Sequence, residues 1–281
     1  MIKRLIINAD DFGFSRSVTD GILHAHESGI LTSTTLMATM PDCDRAMDLA
    51  QSNPSLGVGI HLCLTQGTPR SGKLRSITGG INEFPRRVPQ LLQRISFNRR
   101  ALDEARAEWA AQIEYVLNRG LRPTHLDSHK HIHHWPALAH IAVDLAKEYH
   151  IPSIRCADEI TIRSTPKLSA GYRALRFLAR KLKAQCVRKP LRTTDWFFGL
   201  AATGKFSADI WLRLLEQLPD GTGEVMVHPG YTADLPLGST RLTAQRRMEL
   251  DALCDPRVIT AIQTLEADNK AKRIHFGEIG N

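Results

Sequence analysis

Short apolar or β-branched runs alternate with helical stretches along almost the whole chain, and that alternation leaves few architectures open. The runs that read as strands are "RLIINA", "STTLMATM", "LGVGIHLCLT", "PTHLDS", "IPSIRCA", "GEVMVH" and "RIHFGE". Between them lie helical patterns such as "SRSVTDGILHAHES", with Ser15 as N-cap and Gly29 at its end, and "NRRALDEARAEWAAQIEYVLNR". A strand followed by a helix re-enters the sheet in the same direction, so the repetition demands parallel strands. Seven such strands favour closure. The expected fold is α/β, a distorted (β/α) barrel of about seven parallel strands. No repeat of fixed period interrupts the pattern, and residues 1–281 are expected to form one domain. The Gly/Pro-rich stretch from Thr65 to Pro89 reads as a single long loop, a length that is uncommon unless the loop has a function.

A chain of this size buries roughly 75% of its unfolded surface and needs no disulfide scaffold. Its five cysteines (Cys43, Cys63, Cys156, Cys186, Cys254) are scattered, odd in number and without CxxC spacing, which excludes a zinc ribbon and points to reduced thiols. The opening "MIKRLIINADD" is too short in apolar residues for a signal peptide, and no run approaches the ~20 apolar residues of a transmembrane span. A cytoplasmic protein is expected. The net charge of +8 is local: ten Lys or Arg and no acid fall between Arg163 and Arg192, and subtracting those ten leaves −2 for the rest. That distribution, without recurring aromatic-interleaved basic patches, argues against nucleic acid. The segment "GYRALRFLARKLKAQ" puts Tyr172, Leu175, Ala179 and Leu182 on one helical face. The plain expectation is a solvated helix covering one side of the domain. Peripheral contact of 163–192 with an anionic membrane, or cover for an acidic ligand, is the alternative.

In parallel α/β proteins, sites collect at the carboxyl ends of strands. The first strand ends in Asp10-Asp11, two carboxylates whose repulsion needs a reason. The third carries His61 near its end, and the fourth runs into "THLDSHKHIHHW", with His125, Asp127, His129, His131, His133 and His134. Arg155 follows the fifth, and His228 ends the "VMVHPGY" strand. Aspartate and neutral histidine together are ligands for a divalent metal. Isolated His24, His26, His140, His150 and His275 read as ordinary surface or core residues. Of the His125–His134 run, one or two need face a metal. "DFG" at Asp11–Gly13 lacks every other kinase element, and no GxSxG elbow, P-loop or GxGxxG turn occurs. Cys63 beside His61 reads as packing. With no side-chain nucleophile left, water activated by a metal is the economical choice.

"NADDFG", "GILTSTTLM", "GIHLCLT", "PTHLDSHKHIH", "VMVHPGY" and "ELDALCDP", in this order, resemble the YdjC-like carbohydrate deacetylases. That family includes chitooligosaccharide deacetylases and a branch associated with hopanoid lipid biosynthesis. The segment 163–192 matches least and reads as a basic helical insertion. The resemblance implies a barrel related to polysaccharide deacetylases, often dimeric, which hydrolyses an acetamido sugar to amine and acetate with one divalent metal, Mg or Zn. It implies Asp11, His61 and His129 as metal ligands, Asp10 as general base and His228 as general acid. Asp127, Arg155 and His125 would orient these groups or touch substrate. An amide carbonyl is a poor electrophile and water a poor nucleophile, so a Lewis acid, a base and an acid are the parts such a reaction requires. Two other readings stay open: a metal-dependent hydrolase of another amide, ester or phosphoester, and a non-catalytic carbohydrate-binding relative.

Overall fold

The computed structural model describes residues 2–72, 74–81, 83–163, 167–235 and 238–280. Strand β1 (Lys3–Phe12) leads into helix α1 (Arg16–Glu27), β2 (Ser33–Leu36) into α2 (Cys43–Ser52), and β3 (Gly57–Leu62) into a long connection. That connection holds the single turn α3 (Arg75–Thr78) and α4 (Val88–Ile95) before α5 (Arg99–Asn118). Strand β4 (Leu126–Ser128) runs into a 3₁₀ turn (His129–His134) and α6 (Pro136–Glu148). There follow α7 (Ala170–Arg188), β5 (Trp196–Phe198), α8 (Ala208–Glu216) and β6 (Thr222–Val227). The chain ends with α9 (Ala244–Leu253), α10 (Pro256–Ala267), β7 (Ala271–Arg273) and a 3₁₀ turn (Phe276–Glu278).

All pairings are parallel, in the order β4-β3-β2-β1-β6-β5, with β7 beside the start of β1. Strand β1 has three neighbours: β6 along Arg4–Ala9, β7 at Lys3–Leu5 and β2 from Asn8 onward. The sheet curls into a half-barrel. Its outer edges, β4 and β5, meet through isolated bridges, Leu126 to Ile154, Ser153 to Arg192 and Glu159 to Phe197. The expected strand "IPSIRCA" therefore supplies only bridges, because its residues 153–154 pair singly and form no ladder. The seventh strand is instead β5, whose three residues are too few for a period-2 pattern to register. "RIHFGE" contributes Arg273 to β7 and then turns.

The stretch from Thr65 to Pro89, of which residues 73 and 82 lie outside the described residues, is held down from below by α5. Glu108, fully buried, accepts hydrogen bonds from the Arg70 and Ser71 amides, and Glu104 from those of Ser76 and Ile77. Gln112 pairs with both backbone groups of Cys63 (2.9 and 2.7 Å). A buried carboxylate that satisfies several backbone amides fixes a loop that has no ladder of its own.

The basic segment forms α7 as its pattern suggests, capped by Ser169, with Ala179, Leu182 and Cys186 buried. Arg176 and Arg180 pair with Asp158 (3.1 and 3.0 Å), while Phe177 and Val187 face outward. Residues 164–166 of that segment lie outside the described residues. No described helix is long and apolar enough to cross a membrane, and no cysteine is paired.

Candidate active site

Successive residues of a strand point to opposite faces, so Asp10 and Asp11 should diverge. They converge because β1 is irregular where it needs to be. Its register with β2 shifts between Ala9 and Phe12, and Asp11 sits at φ 72°, in the left-handed region that L-residues seldom adopt. The bulge turns both carboxylates, each 2% exposed, into one cluster at the mouth of the half-barrel. Strain of this kind persists only where surrounding structure over-determines it.

Three other strand ends complete the cluster. His61 closes β3, and its Nδ1–H donates to Asp127 on β4 (2.7 Å), which leaves Nε2 facing Asp11 Oδ1 (3.6 Å) and Asp10 Oδ2 (3.9 Å). His129 follows β4. Its Nε2–H donates to Gln66 (3.2 Å), and its Nδ1 lies 3.2 Å from Asp11 Oδ1. His228 follows β6, with Nε2 3.9 Å from Asp10 Oδ2. Asp11 Oδ1 is buried without a hydrogen-bond partner, while Arg246 holds Oδ2. One ligand atom from each of Asp11, His61 and His129 lies within 4.8 Å of the other two.

These donors suit a divalent cation. Two imidazole lone pairs and one unpartnered carboxylate oxygen converge, and each imidazole is fixed in the needed tautomer by an acceptor on its far nitrogen. Electrostatics agree. Burial alone would lower His61, yet Asp127, Asp10 and Asp11 together raise it to about 9. The position attracts positive charge, whether proton or cation.

Behind the cluster lies Arg155, fully buried. Its guanidinium binds Asp10 through two bonds (2.9 and 2.7 Å), Glu224 of β6 (2.7 Å) and Asp127. Burial would raise the Asp10 carboxyl, but Arg155, with His61 and His228, holds it well below the usual carboxylate range. For Asp11, Arg246 and then His129 overcome burial in the same direction. His228 is pushed down to about 4 by burial, against the pull of Asp10 and Asp11.

The remaining histidines of the run divide by position. His133 donates from Nε2 to the Arg155 carbonyl (3.0 Å), and His134 accepts from the Ala157 amide (3.1 Å). Both pin the backbone that leaves Arg155. His131 borders the cavity above the cluster, after two left-handed residues, Lys130 and itself. His125 stands apart from the expected group. It lies two residues before Asp127 on the same face, hence about 7 Å deeper, stacked on Phe276 at 3.7 Å and with no hydrogen bond to any other candidate. Gly59 makes room for it, since a Cβ there would sit 2.4 Å from the His125 ring.

The cluster opens into a cavity of 1160 Å³. Gln66 and residues 83–89 form one wall, Tyr172 and Leu175 of α7 another, and residues 238–242 a third.

A family model described as "YdjC-like protein" matches residues 4–264. The chain belongs to the YdjC-like family. This YdjC-like chain is 37% identical over 261 residues, 92% of each chain, to a protein of Geobacillus stearothermophilus named carbohydrate deacetylase. It is 32% identical over 280 residues, 99% of this chain and 100% of the other, to one of the same name from Brevibacillus brevis. Among solved structures, a candidate cellobiose-phosphate cleavage protein from Enterococcus faecalis V583 superposes with TM-score 0.76 at 27% identity, covering 99% of both chains.

Members of the YdjC-like cluster that sequence reasoning missed are Thr35, Gln66, Glu224, Arg246 and Glu249. They come from four separate places in the chain, Arg246 and Glu249 together on α9, and meet the site only through folding. The one visible signal was an unexplained polar residue inside an apolar strand, Glu224 in "GEVMVH".

Burial of so many histidines makes the YdjC-like fold sensitive to acid. His125, His131, His133, His134 and His228 all titrate below the ordinary imidazole range, with burial the leading cause in each. The unfolded chain would protonate them below about pH 6.5, and the folded chain would not, so stability falls as pH drops through that window. Glu159, Glu224 and Glu249, each raised to about 7 by burial, act oppositely. His129 is lowered as well, and His61, raised to about 9, is protonated in both states at this pH, so near pH 5.5 the lowered histidines outnumber the raised carboxyls and unfolding takes up protons. Urea titrations at pH 6 and pH 5, below the range in which His61 joins Glu159, Glu224 and Glu249 in opposing the effect, test this, and equal stabilities at the two would contradict it.

Proposed function

We propose that the protein is a metal-dependent carbohydrate N-deacetylase, which hydrolyses an acetamido sugar to the free amine and acetate. The observation that carries this reading is the unpartnered Asp11 Oδ1 between His61 and His129, with Asp10 alongside. Membership in a family whose relatives are named carbohydrate deacetylase supports the substrate class.

Asp11, His61 and His129 would hold the cation, Zn²⁺ or Mg²⁺, with two imidazoles leaning toward zinc. When bound, it supplies Lewis acidity to the acetamido carbonyl and to water. Asp10, kept ionised and fixed by Arg155, takes the proton of the attacking water. His228 is neutral near pH 7, so the proton it delivers to the departing amine must first reach it. Asp10 Oδ2, 3.9 Å from His228 Nε2, is the donor within reach. Water's proton thus passes from Asp10 to His228 to nitrogen as the C–N bond breaks. Asp127 orients His61, and Arg155 orients Asp10.

Acetate release from diacetylchitobiose and from other N-acetylglucosamine conjugates, after loading with zinc or magnesium, tests the activity. Asp11→Ala should lose cation uptake, and with it turnover, by ~10² or more. Unchanged metal stoichiometry in that variant would remove Asp11 from the ligand set. Hydrolysis of a phosphoester without acetate release from any acetamido sugar would favour the other hydrolase reading.

A further inference from the structure

The segment Ser239–Glu249 touches the cluster at three places, each time through a different side chain. Gln66 donates from Nε2 to the Ser239 carbonyl (2.8 Å), while its Oε1 accepts from His129. Arg246, fully buried on α9 and beside the Phe14 ring, grips Asp11 Oδ2 and so turns Oδ1 toward the two imidazoles. Among the described residues its Nε and Nη1 have no hydrogen-bond partner, which leaves Asp11 as the hydrogen-bonded anchor of the guanidinium. One turn later, Glu249 accepts from the amides of His228 (2.6 Å) and Gly204 (2.7 Å). The start of the same segment, residues 239–242, lines the cavity mouth where a substrate must pass.

We infer that Gln66 and Arg246 are positioning residues through which occupation of the cavity mouth and cation binding strengthen one another, and that Glu249 is a positioning residue for His228. A sugar packed against residues 239–242 restrains the segment. Gln66 passes the restraint to His129, and Arg246 passes it to Asp11. Both receiving groups stand in the proposed ligand set, so the inference rests on the deacetylase reading for its choice of sugar and cation. Linkage requires the effect to be equal in both directions. Glu249 acts on a different partner. By fixing the His228 backbone it governs proton delivery rather than cation affinity.

Calorimetric titration of zinc into the full chain tests this, with and without saturating diacetylchitobiose, in an Asp10→Asn background that holds turnover off. The sugar should tighten zinc binding about fivefold or more. Arg246→Met should weaken zinc about 10–100-fold, with Arg246→Lys recovering part of it, and Gln66→Met should shrink the sugar effect to about twofold or less. Glu249→Gln, in the otherwise wild-type chain, should lower kcat about tenfold at unchanged zinc affinity and KM. A purely structural Arg246 would lower the melting temperature without moving zinc affinity. Zinc affinity within about twofold of the parent in folded Arg246→Met, or in Arg246→Lys where the methionine variant does not fold, overturns the inference, as does a parent indifferent to the sugar. A protein that shows the coupling yet releases no acetate in wild-type form overturns the deacetylase reading alone. One that takes up neither zinc nor magnesium overturns both.

Discussion

Arg155→Met is expected to cost about 3–5 kcal/mol of folding stability, a large share of the ~5–15 kcal/mol typical of a native protein. The side chain is fully buried and is the shared counter-charge of Asp10, Asp127 and Glu224. Methionine fills similar volume, so the loss comes from stranded carboxylates rather than from a cavity. Acid separates this cause from poor packing. In the wild type Asp10 ionises far below its unfolded value, and such a group adds stability that is present above the unfolded pKa and lost as pH falls. Without Arg155 burial is unopposed, the folded pKa rises above the unfolded one, and the carboxyl destabilises until acid neutralises it. The stability gap between wild type and variant should therefore narrow from pH 7 to pH 5 in urea titrations. A constant gap would show that packing, not charge, was lost. Arg155→Lys should recover little, since an ammonium cannot make the paired contacts to Asp10 while also reaching Glu224.

Asp10→Asn should lower kcat by ~10²–10⁴ while leaving the cation in place. Asp10 stands outside the Asp11–His61–His129 group; it could join a second ligand group with His61 and Asp127, but there its oxygens are committed to Arg155 and Asn8, and Asp127 to Arg155 and His61. An amide there keeps the shape and loses the basicity. It also turns an N–H toward the Arg155 donors, so some stability is lost and cation content must be scored separately from turnover. Metal analysis of the purified variant beside an acetate assay distinguishes the roles. A variant that retained more than about a tenth of wild-type turnover would remove Asp10 as the base. One that lost its metal would place Asp10 among the ligands.

The strand ends were legible because polar residues at the close of apolar runs are costly unless they converge. That logic located Asp10, Asp11, His61, Asp127, Arg155 and His228, which the fold does bring together. The convergence of adjacent aspartates was not legible, because it depends on a bulge and a left-handed residue that no periodicity announces. His125 shows the opposite failure. It shares a face with Asp127 and a motif with His129, yet depth along the strand puts it against Phe276. Helix α10, with the apolar pattern "PRVITAIQTLEA" behind an Asp255 cap, escaped notice beside the longer helices. The roles of Gln66 and Arg246 could not be read, and Glu249 showed only as the first residue of "ELDALCDP", since each acquires meaning from a partner distant in sequence.

The half-barrel closes between β4 and β5 through single bridges, and Arg155 stands in that gap. From there one guanidinium reaches β1, β4 and β6, a brace across the interior where a hydrogen-bonded seam would otherwise run. Asp10 is one of its footings. Mutational drift in a lineage that abandoned hydrolysis would thus meet unequal resistance. His129 could be surrendered at small structural cost, whereas Asp11 is tied to the buried Arg246 and the Asp10–Arg155 pair would persist as a relic of architecture. In descendants of this fold the presence of that pair would testify to an intact barrel and say nothing of a working enzyme.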